Sequence, residues 1–175
     1  MSEYLTEGLV LCKEPSGEID ARILLYTKDL GKIWVKMKSG RKMTSKLNSH
    51  LEPLNKVIVR IVEKNGFRVV DALRFGRYSQ KLIDILNLLS KITIELEPDF
   101  KMWQILKLIP DNQNPKDIRI LIKKILEISG FGPKFSSCYN CGRASPKTFI
   151  FESSQFICGL CLSHSQIKVE AVISI

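Results

Sequence analysis

No apolar run in this chain is long enough to cross a bilayer, and its start (MSEYLTEGLVLCKE) lacks the apolar stretch of a secretory leader. The expectation is a cytoplasmic protein with no membrane partner, whose cysteines stay reduced unless they hold metal. No glycine-rich phosphate loop occurs, which removes the P-loop ATPases. No pair of carboxylates and no histidine-containing nucleophile set stands out, so a non-enzyme is expected. A nucleobase deaminase, which needs a His-x-Glu ahead of its cysteines, is not expected either. The most informative absence is local. From Lys32 to Lys46 there is no carboxylate at all, while Lys32, Lys36, Lys38, Arg41, Lys42 and Lys46 fall within the same fifteen residues.

The 175 residues are 45% hydrophobic and 26% charged, a globular composition. A net charge of +9 favours a polyanionic partner, nucleic acid before membrane. That charge is uneven: residues 1–78 hold 15 basic and 9 acidic side chains, residues 79–137 hold 9 and 7, and residues 138–175 hold 3 and 2. The polyanion is therefore expected on the N-terminal part.

Alternation predicts five strands there: Leu5 to Lys13, Asp20 to Lys28, one beginning at Lys32, Asn55 to Lys64, and Phe67 to Phe75. Asn65-Gly66 is a hairpin signal between the last two. A connection of roughly sixteen residues separates the third and fourth, longer than a compact domain favours without a reason. This describes a small, partly open barrel of the OB type, although other five-stranded barrels fit the same pattern. From about Tyr78 the period becomes helical. Leu82, Ile85, Leu86, Leu89 and Ile92 stripe one helix, a second runs from Pro98 or Asp99 to Ile109, and Ile118, Leu121, Ile122, Ile125 and Leu126 stripe a third, closed by Gly130. The three are expected to bundle against the barrel.

On the third strand Ile33, Val35 and Met37 point one way and Lys32, Trp34, Lys36 and Lys38 the other. An aromatic in a row of lysines, followed by the basic loop from Ser39 to Lys46, suits a phosphate-tracking groove with a stacked base. The alternative is a solvated strand face with Trp34 capped by a neighbouring element.

Cys138-Tyr-Asn-Cys141 and Cys158-Gly-Leu-Cys161 are sixteen residues apart, within the spacing of zinc sites. The piece between them reads as a hairpin turning at Glu152-Ser-Ser-Gln155. Four thiolates leave no open coordination position, so a structural Zn2+ is expected, holding together a module too small to fold alone. A thioredoxin-type site would need one reactive pair in a βαβ setting. Cys12, alone on the first strand, reads as a small buried residue.

With these features in place the chain resembles the RecO family of bacterial recombination mediators. The likeness runs through Thr6-Glu-Gly-Leu-Val-Leu11, Gly17-Glu-Ile-Asp20, Leu30-Gly-Lys32, Lys38-Ser-Gly-Arg-Lys42, Ser45-Lys-Leu47 and Leu51-Glu-Pro-Leu54, then Ile128-Ser-Gly-Phe-Gly-Pro133 leading into Cys138. It implies an α+β chain: an N-terminal OB-fold β-barrel (1–77), a helical domain (78–137) and a four-cysteine zinc module (138–161), followed by a short segment (162–175). It also implies binding of single- and double-stranded DNA, annealing of complementary strands, and contacts with RecR and with the acidic C-terminal tail of the single-strand-binding protein. RecA would be loaded indirectly, in the cytoplasm at the nucleoid. The family's basic barrel residues fall on Lys38, Arg41 and Lys42, with Arg22 beside them; Lys32, Trp34, Lys36 and Lys46 come from the face argument alone. Arg119, Lys123 and Lys124, beside Ile122 and Ile125, are a candidate seat for the acidic tail. The chain departs from the family after Cys161, where members usually continue through further helices; here Ile167 to Ile175 alternates like a strand. Cys12 also stands where the family more often has a basic residue. The rivals are an RNA-binding OB protein with a zinc module and a structural subunit whose basic face meets an acidic protein.

Overall fold

Alternating apolar and polar side chains build residues 2–77 into five strands: β1 (Ser2–Ser16), β2 (Asp20–Thr27), β3 (Gly31–Met37), β4 (Asn55–Glu63) and β5 (Phe67–Arg77). The structure is a computed structural model that describes residues 1–40, 45–109, 115–167 and 172–174. The strand order is β1-β2-β3-β5-β4, and β4 returns to β1 to complete the barrel of the OB type. Every pairing is antiparallel except β3 with β5, which meet in parallel at Val35 with Phe67 and Lys36 with Arg68. At the expected hairpin between β4 and β5, Asn65 and Gly66 both take positive φ, 54° and 102°.

The inward row is continuous from strand to strand. Ala21, Ile23 and Leu25 meet Ile33, Val35 and Met37, then Val57, Val59 and Ile61, with Val10, Val69 and Ala72 closing the ring. Each larger side chain in it contributes about 1.5–3 kcal/mol by leaving water. The long connection after β3 supplies the plug: Leu51 is fully buried in this core and Leu47 packs against it. Lys13 ties that segment back to β1 through Asn48 and Glu52. Asn55 is wholly buried, and its amide donates to the carbonyls of Ser49 and His50 while its oxygen accepts from Arg77.

Outside the barrel, the stretch after β5 passes through a 3-10 turn (Gln80–Leu82) into α1 (Ile83–Ile92) and α2 (Phe100–Lys107), the latter capped by Asp99 accepting from the Met102 amide. Leu82, Ile85, Leu86 and Leu89 of the expected stripe are buried, as are Met102, Trp103 and Leu106. These helices cover one end of the outer β2–β3 face. Tyr26 stacks on Trp103 with ring centroids 6.4 Å apart, and burial followed by the Asp99 charge pushes its phenol up to about 12. The amide of Leu96 donates to the carbonyl of Lys32.

Contacts divide the chain into two units, Met1–Asp111 and Asn112–Ile175. The second contains α3 (Pro115–Ile128), the short strands β6 (Thr148–Ile150) and β7 (Gln155–Ile157), α4 (Gly159–Ser163) and β8 (Val172–Ser174). The expected hairpin is β6 with β7, its Phe149 and Phe156 rings 5.1 Å apart. β8 adds to the other edge of β6, in keeping with the strand-like alternation read there. Among the described residues no helix is long and apolar enough to cross a membrane.

Gly31 shows how tightly the helical layer sits on the barrel. Its φ is +65°, and a Cβ there would lie 2.4 Å from the Glu97 carbonyl oxygen and 2.8 Å from the Pro98 nitrogen. Gly17 has a similar φ of +78° with nothing within 4 Å. Gly17→Ala is expected to cost about 1–2 kcal/mol, the left-handed strain alone. Gly31→Ala should add roughly 1–3 kcal/mol of overpacking. Urea unfolding of the two variants checks this, and equal losses would mean that residues 97 and 98 do not bear on Gly31.

Candidate nucleic-acid interface and metal centre

Strand pairing sorts the outer face of β1, β2 and β3 into cross-strand rows. Glu14, Arg22 and Lys36 form one row; Cys12, Leu24 and Trp34 form the next; Leu9, Tyr26 and Lys32 form the one nearest the helices. Lys36 and Lys38 are exposed, as is Lys46 in the turn that follows, and Trp34 is half-buried. The Arg22 guanidinium lies 4.5 Å from the Trp34 ring centroid. Arg22, Trp34, Lys36 and Lys38 therefore share one open surface. Arg41 and Lys42 lie outside the described residues.

Lys32 departs from the expectation. It is on the outward row as alternation requires, but it is only 8% exposed, and its ammonium donates to the Ser90 carbonyl oxygen of α1 at 2.8 Å. Burial draws its pKa down, with Glu95 opposing the shift. A period-two pattern assigns a side chain to a face; it does not say that two helices will cover half of that face. Lys32 therefore holds the helical layer to the barrel and is closed to a phosphate.

Two acidic residues escaped a reading along the chain. Glu14 accepts from Arg22 Nε at 2.7 Å and lies 2.5 Å from Nη2. Asp20 accepts from the Ser39 amide at 2.8 Å. The stretch from Lys32 to Lys46 has no acid in it, yet the neighbouring strands bring acids beside it. The signal was available, since pairing outward from the turns between β1, β2 and β3 puts Glu14, Arg22 and Lys36 in register.

On α3, Arg119, Lys123 and Lys124 are exposed, but Ile122 and Ile125, expected beside them, are fully buried. The apolar residue that shares their side of the helix is Ile120, 55% exposed and three and four positions before the two lysines.

The second site is built by two tight turns. Cys138 and Cys141 flank a loop closed by the Gly142 amide donating to the Cys138 carbonyl at 2.8 Å, with Gly142 at φ +71°. Cys158 precedes α4 and Cys161 lies in its first turn, where the Leu162 amide donates to the Cys158 carbonyl at 2.9 Å. Tyr139 donates its amide to the Phe156 carbonyl, tying the first turn to β7. All four sulfurs lie within 4.8 Å of one another, and Cys141 Sγ is 3.7 Å from Cys158 Sγ. A tetrahedron with sulfur about 2.3 Å from a central zinc has edges of about 3.8 Å. Cys138 and Cys158 are buried, Cys161 is half-buried and Cys141 exposed, so one corner faces solvent.

Electrostatics favour a cation at the centre. Burial pushes the Cys138 thiol up, but the amides of Cys158, Cys141 and Asn140 outweigh it and bring it to about 6. The Cys161 amide, ahead of the other influences, draws Cys158 down as well. Cys161 is pushed up to about 12, first by its hydrogen bond with Cys141 and then by burial. Two thiols drawn toward the anion while a third is driven from it means negative charge crowded into one place. A soft divalent cation relieves that, and the residues fit one.

The sequence contains the triplet His50-Leu51-Glu52, so the His-x-Glu element of a deaminase is present after all. It is occupied otherwise: His50 Nδ1 accepts from the Arg74 amide at 3.1 Å, and Glu52 pairs with Lys13. Among the described residues the cluster with metal-ligand geometry contains cysteines only.

Two family models match the chain: "Recombination protein O N terminal" over residues 1–75 and "Recombination protein O C terminal" over residues 85–172. Curated relatives carry the name DNA repair protein RecO. The protein from Thermobifida fusca is 23% identical over 96% of this chain and 77% of its own length. That from Thermodesulfovibrio yellowstonii is 27% identical over 91% and 70%, and that from Alkaliphilus metalliredigens 25% identical over 89% and 71%.

Proposed function

The chain belongs to the RecO family, and on that premise we propose that it is a DNA repair and recombination mediator acting at the nucleoid in the cytoplasm. It binds single- and double-stranded DNA, anneals complementary strands, and with RecR assists RecA loading on DNA coated by the single-strand-binding protein. It makes and breaks no covalent bond. The supporting observation is the open barrel face on which Lys36 and Lys38 stand exposed beside Arg22 and the half-buried Trp34. Lys46, and on the sequence alone Arg41 and Lys42, extend it.

Annealing follows from charge. Two strands repel through their phosphates, and a basic surface that screens both lowers that barrier while base pairing reads the sequence. With about four to six phosphates met, log affinity falls with log salt at a slope of about −3 to −5. On α3 the cations Arg119, Lys123 and Lys124 with Ile120 receive the acidic, apolar tail of the single-strand-binding protein. The four cysteines hold a structural Zn2+, which when bound ties the two turns together; Cys138 and Cys158 anchor it from the buried side.

The deciding experiment is annealing of complementary oligonucleotides, bare and coated with the single-strand-binding protein, across a salt series. Salt-sensitive acceleration on coated strands is expected, and no acceleration on either by folded protein would sink the mediator reading. Lys36→Ala with Lys38→Ala should weaken DNA binding and flatten the salt slope by about 1.4. Lys32→Met should leave the slope unchanged, because that ammonium is already used. For the metal, one zinc per chain is expected by colorimetric release. Chelation should then abolish hydrogen-exchange protection of residues 148–150 and 155–157, and retained protection would show that the metal does not hold the module.

A further inference from the structure

The open barrel face is not simply basic. In the row Glu14, Arg22, Lys36 the acid comes from β1, and its carboxylate takes the guanidinium edge made by Nε and Nη2 of Arg22, at 2.7 and 2.5 Å. That edge is the one a phosphate would take. The same Arg22 lies 4.5 Å from the centroid of Trp34, covering the ring on which an unstacked base would lie. Glu14 is also held from its other oxygen, Oε1, by the Cys12 thiol at 3.7 Å. Arg22 and Glu14 keep 51% and 38% of their side chains exposed, so the pair is accessible to a competing anion.

We propose that Glu14 is an internal competitor for the nucleic-acid phosphate, holding Arg22 across Trp34 so that the stacking site is closed until a single strand displaces it. The inference rests on the reading of this face as a DNA surface. Binding is an exchange in two parts. A backbone phosphate replaces Glu14 on the guanidinium, and an unpaired base replaces the guanidinium on Trp34. A duplex can supply the phosphate but offers no free base. Glu14 thus biases the face toward single strands and lowers its affinity for any polyanion that offers charge alone.

Binding of a labelled oligothymidylate, followed by anisotropy with the full chain, tests this. Glu14→Gln should tighten binding about two- to five-fold at low salt, the range expected for loss of an exposed ion pair. Its salt slope should match that of the unaltered chain, because Arg22 meets the same phosphate in both complexes. In an Arg22→Gln background the same change should give no tightening. Trp34 emission, read against the buried Trp103 as a constant, should be quenched by the oligothymidylate and not by a blunt duplex.

Unchanged affinity in Glu14→Gln, with Lys36→Ala and Lys38→Ala still weakening binding, would overturn the competitor and leave the DNA surface in place. An equal gain in the Arg22→Gln background would also overturn it, making Glu14 a general repeller of phosphate. If no variant binds DNA, the failure belongs to the reading of the face itself.

Discussion

One strand carries the barrel. β1 is fifteen residues long; its first half pairs with β4 and its second half with β2, and the two partner sets overlap at Gly8 and Leu9. A strand can serve two neighbours in this way only by bending from one sheet direction into the other. The shift of register between Val10 and Cys12 lies on the β2 side of that bend. Once it has turned, the inward row from all five strands converges on one core, and the outer face of β2 and β3 is left for the helices and the solvent to divide. Lys13, two residues past the shift, then reaches the plug segment, so the same strand also fixes the lid of the barrel.

That division of the outer face determines what each basic residue can do. Near the helices, Lys32 and Tyr26 are covered and serve packing. Farther along, Arg22 and Trp34 are partly engaged with each other, and Lys36 and Lys38 stand open. A row that is uniform in sequence is graded in environment, from a desolvated ammonium to a hydrated one within four residues. The charge left open to solvent is at the far end.

Much of this was legible beforehand. The strands, the Asn65-Gly66 turn, the buried stripes of α1 and α3 and the paired cysteines all follow from local pattern, because period, turn chemistry and ligand spacing are local properties. What was not legible is what non-local neighbours contribute. Alternation assigns Lys32 to the open row because it cannot see α1, and the α3 stripe is buried as its spacing implies, which leaves Ile122 and Ile125 unable to serve a peptide tail beside the cations. Glu14 was hidden for another reason: it is eighteen residues before Lys32 in the chain yet shares a cross-strand row with Lys36, two strands away by way of Arg22. The Arg119, Lys123 and Lys124 cluster kept its exposure but exchanged its apolar companion for Ile120.

The parallel seam has a consequence of its own. β3 is held along its whole length by β2, but on its other side β5 reaches it only at Val35 and Lys36. Local opening of a sheet begins where the fewest hydrogen bonds must break together. The short pairing makes that seam the place where this barrel opens with least loss, and Lys36 lies on it, so the strand proposed to face the polyanion is also one with room to adjust to its backbone.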